Sequence, residues 1–401
     1  MKRKKTPDRS SRIIGRGCSL IIGSPFFVGR WLDSIWSSGA KEQKGLKFSL
    51  SALNWVIMGK SNLLGSDLSD MERLMVDLGE KRYKGRQLFK WLYRGGVDSF
   101  AQMTDLSVPL RAKLADRFVF EGFSPEATLL AADGCEKYLF RLEDGLYIES
   151  VLIPEGEKST LCLSSQVGCP LGCHFCATGL NGFGRDLTTG EILGQLMYVR
   201  RLRGADAVHN VVFMGMGEPL LNFDNMVRAV RIISSELGLS LSARRITVST
   251  VGIVPKIYAL ADSGLKVNLA VSLHAAEEAV RHRLMPVAGR YPLEDLAPAV
   301  RYFAEKRKKR ITFEYILFKG INDSRSAALS LARFIRGIPC KINILAYNPV
   351  AGLPYERPRD DEVDEFARYL YPRAPAVTVR KSRGLDIGAA CGQLAGKRQC
   401  F

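Results

Sequence analysis

Hydrophobic residues recur along the chain at two different spacings. Between residues 67 and 118 they return every three or four positions, as at Leu88 and Leu92, and this spacing predicts amphipathic helices. Between 137 and 153, two runs rich in aromatic and β-branched residues flank the turn residues Glu143-Asp144-Gly145. This pattern predicts a β-hairpin, because such residues favour strands and short glycine-containing turns join them.

Strand and helix patterns alternate from about residue 159. Strands are expected at 159–165, 208–214, 245–250, 267–273, 312–318 and 341–346. Helices are expected near 188–203, 223–236, 255–264, 293–308 and 324–336. Thr188 and Glu191 form a capping-box signature at the start of the first of these helices. The alternation predicts an α/β protein whose parallel sheet forms a partial (βα)6 TIM-like barrel, with ligands at the carboxyl ends of the strands.

These elements divide the chain into five segments. We expect an N-terminal extension, a helical accessory domain, a small β-hairpin connection, the barrel and a C-terminal segment. The corresponding ranges are 1–57, 58–125, 126–158, 159–350 and 351–401.

The net charge is strongly positive and unevenly distributed. Of the total of +17, residues 1–57 contribute +8, from 11 Lys or Arg less 3 Asp or Glu, so the other 344 residues carry +9. This balance favours a polyanionic partner such as RNA, with solvated surface lysines as the alternative. Basic and aromatic residues interleave at 81–94. That region is either an RNA-facing surface or an amphipathic helix with Leu88 and Leu92 in the core.

The N-terminal extension resembles a targeting segment only in part. It is basic up to Lys5 and apolar from Cys18 to Val28, but no cleavage-site pattern follows. No apolar run in the chain reaches the roughly 18 residues of a membrane span, so no membrane association is expected. We interpret 1–57 as a disordered or non-native extension of a cytoplasmic protein, with organelle import as the alternative.

Three of the nine cysteines lie within eight positions, in Cys169-Pro-Leu-Gly-Cys173-His-Phe-Cys176. An odd cysteine count argues against a secreted disulfide scaffold, and clustered thiolates are soft ligands that suit iron–sulfur clusters or zinc. Three thiolates can hold three corners of a [4Fe–4S] cluster and leave the fourth iron free. A structural zinc needs four protein ligands, and His174 completes such a set only if the loop folds back on itself.

This C-x3-C-x2-C motif, with an aromatic residue before the last cysteine, resembles the signature of radical S-adenosylmethionine enzymes. The resemblance implies a [4Fe–4S] cluster, S-adenosylmethionine as cofactor and the barrel fold. Further motifs, from about Arg82 to Leu394, resemble the RlmN type of RNA methyltransferase, which methylates C2 of an adenine in 23S ribosomal RNA and, in some members, in transfer RNA. These motifs are RYKGRQLFKWLYRGGVDSFAQMTDLS, ESVLIP, CLSSQVGC, FMGMGEPL, VSTVG, VSLHA, NILAYNP and RGLDIGAACGQL.

The resemblance implies that Cys169, Cys173 and Cys176 are the cluster ligands. It also implies cofactor contacts for residues at the predicted strand ends. These are Gly217, Glu218, Ser249, Ser272, Leu273, His274 and Asn348. From the pattern alone, Gly217-Glu218 is equally a strand-ending turn, and His274 is a hydrogen-bonded structural histidine.

Three catalytic roles also follow from the resemblance. Cys391 is methylated by one S-adenosylmethionine, and a second one supplies the radical that abstracts hydrogen from the new methyl group. Cys162 then releases the RNA by forming a disulfide with the Cys391 sulfur, and Glu149 is the proton acceptor. Without the resemblance, Cys391 is a small buried residue and Glu149 a surface charge.

The expected partners are 23S ribosomal RNA, transfer RNA and an electron donor such as flavodoxin or ferredoxin, and a monomer is expected. One rival is the related antibiotic-resistance type of enzyme, which methylates C8 of the adenine. Another is a zinc-stabilised RNA-binding protein without catalysis. The remaining cysteines match no functional position. They are Cys18, Cys135, Cys340 and Cys400.

Overall fold

The structure, a computed structural model, describes residues 60–120 and 122–396. The extension expected at 1–57 lies outside these residues, as do Cys18 and Cys400. Within the described ranges, none of the helices combines the length and the apolar character that crossing a bilayer requires.

The N-terminal part is helical, as the spacing of its hydrophobic residues predicts. It contains β1 (Ser61–Asn62), α1 (Leu68–Asp77), α2 (Tyr83–Arg94), α3 (Val108–Arg117) and β2 (Phe118–Val119). The two short strands pair in parallel. A capping box starts α1: the Asp67 carboxylate accepts the Asp70 N–H at 3.0 Å, and the Asp70 carboxylate accepts the Asp67 N–H at 3.1 Å.

Helix α2 covers the basic and aromatic stretch and has one buried face. Leu88 and Leu92 are buried in the core, as expected of an amphipathic helix. Arg82 and Arg86 donate to the Glu72 carboxylate at 2.7 and 3.1 Å. The helix is therefore amphipathic, as predicted, and its exposed face keeps Lys90 and Arg94 free of an ion pair in the described chain, so contact with RNA remains a prediction.

The part of the described chain that follows is built on a ten-stranded sheet. With the strands numbered in chain order and bounded as given below, the order across the sheet is β14-β13-β12-β11-β10-β9-β6-β5-β4-β3. The antiparallel strands are β3 (Pro125–Leu130), β4 (Glu136–Arg141) and β5 (Tyr147–Glu155). The parallel strands are β6 (Lys158–Cys162), β9 (Asn210–Phe213), β10 (Ile246–Thr250), β11 (Asn268–Ser272), β12 (Ile311–Leu317), β13 (Cys340–Ala346) and β14 (Val377–Arg380). A separate pair consists of β7 (Gln166–Gly168) and β8 (Phe183–Asp186).

All six predicted barrel strands and the predicted hairpin are present, so the α/β partial-barrel class is confirmed. Two features differ from the expectation. The hairpin continues the barrel sheet, because β5 pairs with β6. A seventh parallel strand, β14, extends the array beyond residue 350, within the segment expected to be a C-terminal appendage.

Helices cover the sheet between successive strands. They are α4 (Ala177–Leu180), α5 (Thr189–Arg203), α6 (Phe223–Ser234), α7 (Val254–Asp262), α8 (Glu278–Leu284), α9 (Leu293–Arg307), α10 (Arg325–Phe334) and α11 (Asp360–Leu370). The five predicted helices correspond to α5, α6, α7, α9 and α10, and the Thr188–Glu191 capping box at α5 is formed. We call the two ends of the parallel strands the carboxyl edge and the amino edge of the sheet.

Candidate active site

The cysteine loop lies at the carboxyl edge, between β7 and α4. Gly168 enters it at a φ of 72°, and a Cβ there would lie 2.0 Å from the Gly182 carbonyl, so glycine is required. The Cys169 N–H donates to the same carbonyl at 2.8 Å. His174 is exposed, and its Nδ1 lies 2.8 Å from the Arg283 carbonyl. The His174 imidazole therefore points to α8. As the fourth ligand of a zinc ion it would have to point back to the three cysteines.

One cavity joins the cysteine loop to the ends of the strands. It is lined at the loop by Cys169, Cys173, Phe175, Cys176 and Thr178, and at the strands by residues that include Gly217, Glu218, Ser249, Thr250, Ser272, His274 and Glu314. Cys391 and Gly392, from the segment after β14, complete the lining. Residues from β9, β10, β11 and β12 therefore meet there, as expected at the carboxyl edge of parallel strands.

The three thiols fit an iron–sulfur cluster better than a single ion. Among residues 60–120 and 122–396, no three His, Cys, Asp or Glu side chains gather closely enough to hold one metal ion. A cluster needs no such convergence, because each thiolate binds a different iron. Burial raises the pKa of Cys169 to about 12 and raises that of Cys173 as well. These thiols are neutral until a metal binds, since coordination itself removes the proton.

Gly217 and Glu218 form a tight turn after β9. Gly217 has a φ of 96°, and a Cβ there would lie 2.5 Å from the Gln166 Cβ, so the turn requires glycine. The Glu218 carboxylate accepts the N–H groups of Leu220 and Val251 at 3.0 and 2.9 Å. Burial nevertheless raises its pKa to about 7. A carboxylate held in this state gains strongly from a cationic ligand such as an ammonium group.

His274 is a neutral donor to the cavity. It is buried with a φ of 55°, and the Ile316 N–H donates to its Nδ1 at 3.1 Å. Because Nδ1 accepts, the proton of the neutral ring lies on Nε2. Burial lowers the pKa of His274 to about 3, so the ring stays uncharged at physiological pH. The Asn322 side chain fixes the unusual backbone by donating to the His274 carbonyl at 2.6 Å.

The segment that carries Cys391 is bound directly to the cysteine loop. The Ala177 N–H donates to the Gly392 carbonyl at 2.8 Å, and the Thr178 hydroxyl donates to the Leu394 carbonyl at 2.6 Å. Asn348 donates to the Cys391 carbonyl at 3.1 Å. Cys391 reaches the surface at the mouth of the cavity, where the surrounding walls desolvate the thiol and raise its pKa.

Glu149 and Cys162 lie under this segment, on neighbouring strands. The Glu149 carboxylate accepts the N–H groups of Ala395 and Gly396 at 2.7 and 3.1 Å. It also forms an ion pair at 3.1 Å with Lys137, and both side chains are 3 % exposed. Burial raises the pKa of the Cys162 thiol, and the nearby Cys391 raises it further. Both thiols are free.

The structure brings nine of the thirteen expected site residues to the cavity lining and leaves four outside it. Leu273 is buried, and its N–H donates to the Glu314 carbonyl. Asn348 acts on the backbone of Cys391. Glu149 and Cys162 lie behind the segment that carries Cys391.

One polar residue of the cavity lining, Glu314, was not predicted from the sequence. Glu314 lies on β12, a strand buried along all seven residues, and it lines the cavity. Its carboxylate accepts from the Asn343 side chain on β13 at 3.0 Å, and burial raises its pKa. Arg380 on β14 is near enough to lower the pKa of Glu314, of Cys391 and of Cys162. The available signal was a single carboxylate within the apolar strand sequence ITFEYIL.

The fold and the cysteine loop at its carboxyl edge define a radical S-adenosylmethionine protein. The family model described as Radical SAM superfamily matches residues 163–332, and the one described as Ribosomal RNA large subunit methyltransferase N-terminal domain matches residues 61–120. Such proteins bind a [4Fe–4S] cluster and S-adenosylmethionine, and the thiol set and cavity fit both groups.

Similar proteins narrow the class to one family. The Dual-specificity RNA methyltransferase RlmN of Geobacter sulfurreducens is 47% identical over 336 residues, which cover 84% of this chain and 92% of the relative. That of Desulfotalea psychrophila is 48% identical over 327 residues, covering 79% and 90%. The crystal structure of a radical SAM methyltransferase from Sphaerobacter thermophilus superimposes with a TM-score of 0.80 at 43% identity, covering 84% of this chain and 100% of that one. The chain therefore belongs to the RlmN family of RNA methyltransferases.

Proposed function

We propose that this protein methylates C2 of an adenine in 23S ribosomal RNA and, as a dual-specificity enzyme, in transfer RNA. The observation that carries the proposal is that Cys391 lines the same cavity as Cys169, Cys173 and Cys176. A methyl-carrying thiol is useful in such an enzyme only if it meets the cluster. The relatives, which are named dual-specificity RNA methyltransferases, support an RNA substrate, and the family model at residues 61–120 is described for methyltransferases of large-subunit ribosomal RNA.

Cys169, Cys173 and Cys176 hold the cluster, and the strand ends hold the cofactor. Glu218 supplies negative charge for its ammonium group. Ser249, Ser272 and the Nε2–H of His274 offer hydroxyl and imidazole groups in the same cavity. The bound groups supply a methyl cation equivalent and a deoxyadenosyl radical, which requires two molecules of S-adenosylmethionine per turnover.

Cys391 carries the methyl group, because C2 of adenine lies between two ring nitrogens and is too electron-poor to attack a sulfonium carbon. A carbon radical on the Cys391 methyl group would add to C2 without that requirement, and the adduct would then lose the C2 proton and one electron, which the bound cluster would accept. The Cys162 thiolate then attacks the Cys391 sulfur. The new S–S bond replaces the S–CH2 bond, whose electron pair stays with the carbon attached to adenine and takes up a proton, and a dithiol reductant returns both cysteines to thiols.

Glu149 is the proposed acceptor of the proton that leaves C2. The position of Glu149 supports this role, because its carboxylate accepts two N–H groups of the segment that follows Cys391. In the present arrangement Lys137 also neutralises it, so a shift of this segment must free one carboxylate oxygen for the task.

The proposal also covers the other segments of the chain, the location of the protein and its electron donor. Residues 58–125 form an accessory domain that contacts RNA, and 126–158 connect it to the barrel. The protein acts as a cytoplasmic monomer, and a flavodoxin or ferredoxin reduces its cluster. Asn348 acts through Cys391, whose carbonyl it binds. Leu273 acts through its backbone N–H, which binds the Glu314 carbonyl at 3.0 Å.

Anaerobic reconstitution with iron, sulfide and a chemical reductant tests the function. The loaded protein, S-adenosylmethionine and a 23S ribosomal RNA fragment should yield 2-methyladenosine, measured by mass spectrometry of the nucleosides. Formation of 8-methyladenosine would identify the antibiotic-resistance type of enzyme. A colourless zinc protein that binds RNA without product would refute catalysis.

A further inference from the structure

The amino edge of the parallel sheet, opposite the cavity, carries a dense set of cations. They lie where the chain passes from helices α6, α7, α9 and α10 into strands β10 to β13. We call this set the amino-edge patch; it comprises Arg244, Arg245, Lys266, Arg307, Lys308, Lys309, Arg310, Arg336 and Lys341. Strand β12 spans seven residues, so the patch lies roughly 20 Å from the carboxyl edge at about 3.3 Å per residue.

These cations are accessible, and in the described part of the chain only weak electrostatic contact links them to acids: Lys341 is near enough to lower the pKa of Glu314. Seven of the nine are exposed, and Arg307 and Lys309 are half-buried. Within the described residues none of them forms an ion pair. Among the described residues, the ion pair beside these turns joins Lys306, outside the patch, to Asp262 at 3.1 Å.

Two of the cations are fixed in place by neutral groups. Lys309 Nζ donates to the carbonyls of Lys266 and Val267 at 2.7 and 3.3 Å. Arg307 donates to the Gly264 carbonyl at 2.8 Å. Burial lowers the pKa of Lys309, and the nearby Arg244 and Arg307 lower it further. The fold therefore holds like charges together without an anion between them, which costs stability that a polyanionic ligand would recover.

Helix ends explain only part of this charge. Cations favour helix C-termini, and the four helices that lead into β10 to β13 each end here with about half a negative charge, or about −2 together. Two further carboxylates, Glu236 and Glu305, lie on the same turns. Nine cations less two carboxylates leave +7, and the helix ends reduce this to about +5. That excess has no structural partner in the described chain.

We infer that the amino-edge patch is a second RNA-binding surface, which contacts phosphates of the substrate far from the target adenine. The inference rests on the proposed function, because it extends the footprint of the same RNA substrate. Ribosomal RNA is large enough to reach around a barrel, whereas a short stem–loop in the cavity is not. Exposed lysines and arginines without fixed acceptors suit phosphate, which is recognised by charge rather than by base edges.

An acidic redox protein is the less suitable occupant. An electron donor must approach the cluster, and the cluster ligands lie at the opposite edge of the sheet. A docking site roughly 20 Å away, across the length of β12, would slow electron transfer instead of assisting it.

The test uses a triple variant, Lys266→Gln with Arg310→Gln and Arg336→Gln. These side chains are exposed and make no hydrogen bonds or ion pairs in the described chain, so the fold should be retained. The matched control, Lys266→Arg with Arg310→Lys and Arg336→Lys, keeps the charge. A second control removes an exposed arginine of β4, outside the patch, by Arg141→Gln.

Fluorescence anisotropy over a range of salt concentrations measures binding of a long 23S ribosomal RNA fragment and of a short stem–loop with the same adenine. The triple variant should bind the long RNA about tenfold more weakly at 0.1 M salt, with a salt slope smaller by about 2. Its affinity for the stem–loop, and its turnover of saturating stem–loop with a chemical reductant, should match those of the unaltered protein. Both controls should bind the long RNA normally.

Other results would overturn the inference. Unchanged binding of the long RNA would show that the patch does not contact it, and equal losses for both RNAs would place the effect at the cavity. A defect that appears only with flavodoxin as reductant would identify a protein-docking site. Methylation of the stem–loop by the unaltered protein tests the proposed function separately, and long-RNA binding decides the patch even if no methylation occurs.

Discussion

The two ends of one parallel sheet use polar residues in opposite ways. At the carboxyl edge, Glu218 and His274 are buried, and each has a defined hydrogen-bond partner. At the amino edge, Lys266, Arg310 and Lys341 are exposed and have no ion pair in the described chain. The strands and their register are common to both ends, so the difference lies in the side chains alone.

This contrast separates two physical tasks. Chemistry requires groups fixed before the reaction begins, and burial with full hydrogen bonding provides that order. Attraction of a polyanion requires only net charge near the surface, and it works through flexible side chains. Substitutions at the carboxyl edge should therefore have large and specific effects, whereas those at the amino edge should be mild and should depend on salt.

Cysteine replacement gives the largest expected difference between the edges. Cys176→Ala should lose the four-iron signal and all cleavage of S-adenosylmethionine, because three thiolates are the minimum for the cluster. Cys340→Ala removes a fully buried cysteine at the amino edge and should keep both. Iron content, electron paramagnetic resonance and 5′-deoxyadenosine formation are the measurements. Full iron loading and turnover by Cys176→Ala would refute the ligand assignment.

The two working cysteines should fail in different ways. Cys391→Ala has no methyl carrier, so no RNA adduct forms. Cys162→Ala still accepts the methyl group and joins it to adenine, but it cannot break the S–CH2 bond. It should accumulate RNA crosslinked through Cys391, visible as a nuclease-sensitive shift on a denaturing gel. Normal turnover by Cys162→Ala, or an adduct with Cys391→Ala, would contradict this division of roles.

Much of the fold follows from short-range pattern. The six barrel strands and five helices show their own spacing and end signals, such as Thr188 and Glu191 at α5. The seventh strand, β14, has only four residues, half-buried and exposed in alternation, and its pairing with β13 lies outside its own sequence. The union of the hairpin with the barrel sheet is likewise set by β5–β6 pairing.

The site residues also fall into two groups: those that a local motif displays and those that only strand pairing brings together. The three cysteines and Gly217-Glu218 are contiguous motifs, so the sequence displays them. Glu314 and Asn343 are 29 positions apart and meet only because β12 and β13 pair them in register. The ion pair between Lys137 and Glu149, on neighbouring antiparallel strands, was equally hidden, and Glu149 alone resembled a surface charge.

Matched lysine replacements should separate the edges in stability. Lys137→Met leaves the buried Glu149 carboxylate without its cation and should lower the free energy of unfolding by about 3 kcal/mol at pH 7. Lys266→Met removes an exposed lysine from the amino edge and should change it by less than about 0.5 kcal/mol. Urea unfolding of both variants provides the comparison. Similar midpoints would show that the Lys137–Glu149 pair is not energetically important.

The smallest expected effect concerns the pH dependence of stability. His274 has a pKa of about 3 when folded, against 6.5 as the ordinary value, so between these limits the unfolded chain binds more protons. Stability from the neutral ring is present above pH 6.5 and is lost as the pH falls. The loss approaches about 1.36 kcal/mol per pH unit, or about 2 kcal/mol at pH 5.

His274→Asn removes this proton uptake while keeping a side-chain acceptor for the Ile316 N–H and a residue that tolerates a φ of 55°. Urea unfolding at pH 7, 6 and 5 should show the gap in stability between the unaltered protein and the variant shrinking by about 2 kcal/mol. His282→Asn replaces an exposed imidazole and should leave the pH profile unchanged. Parallel profiles for the unaltered protein and His274→Asn would mean that His274 takes up a proton within the folded carboxyl edge. His274 would then differ from the other buried, hydrogen-bonded polar residues of the carboxyl edge.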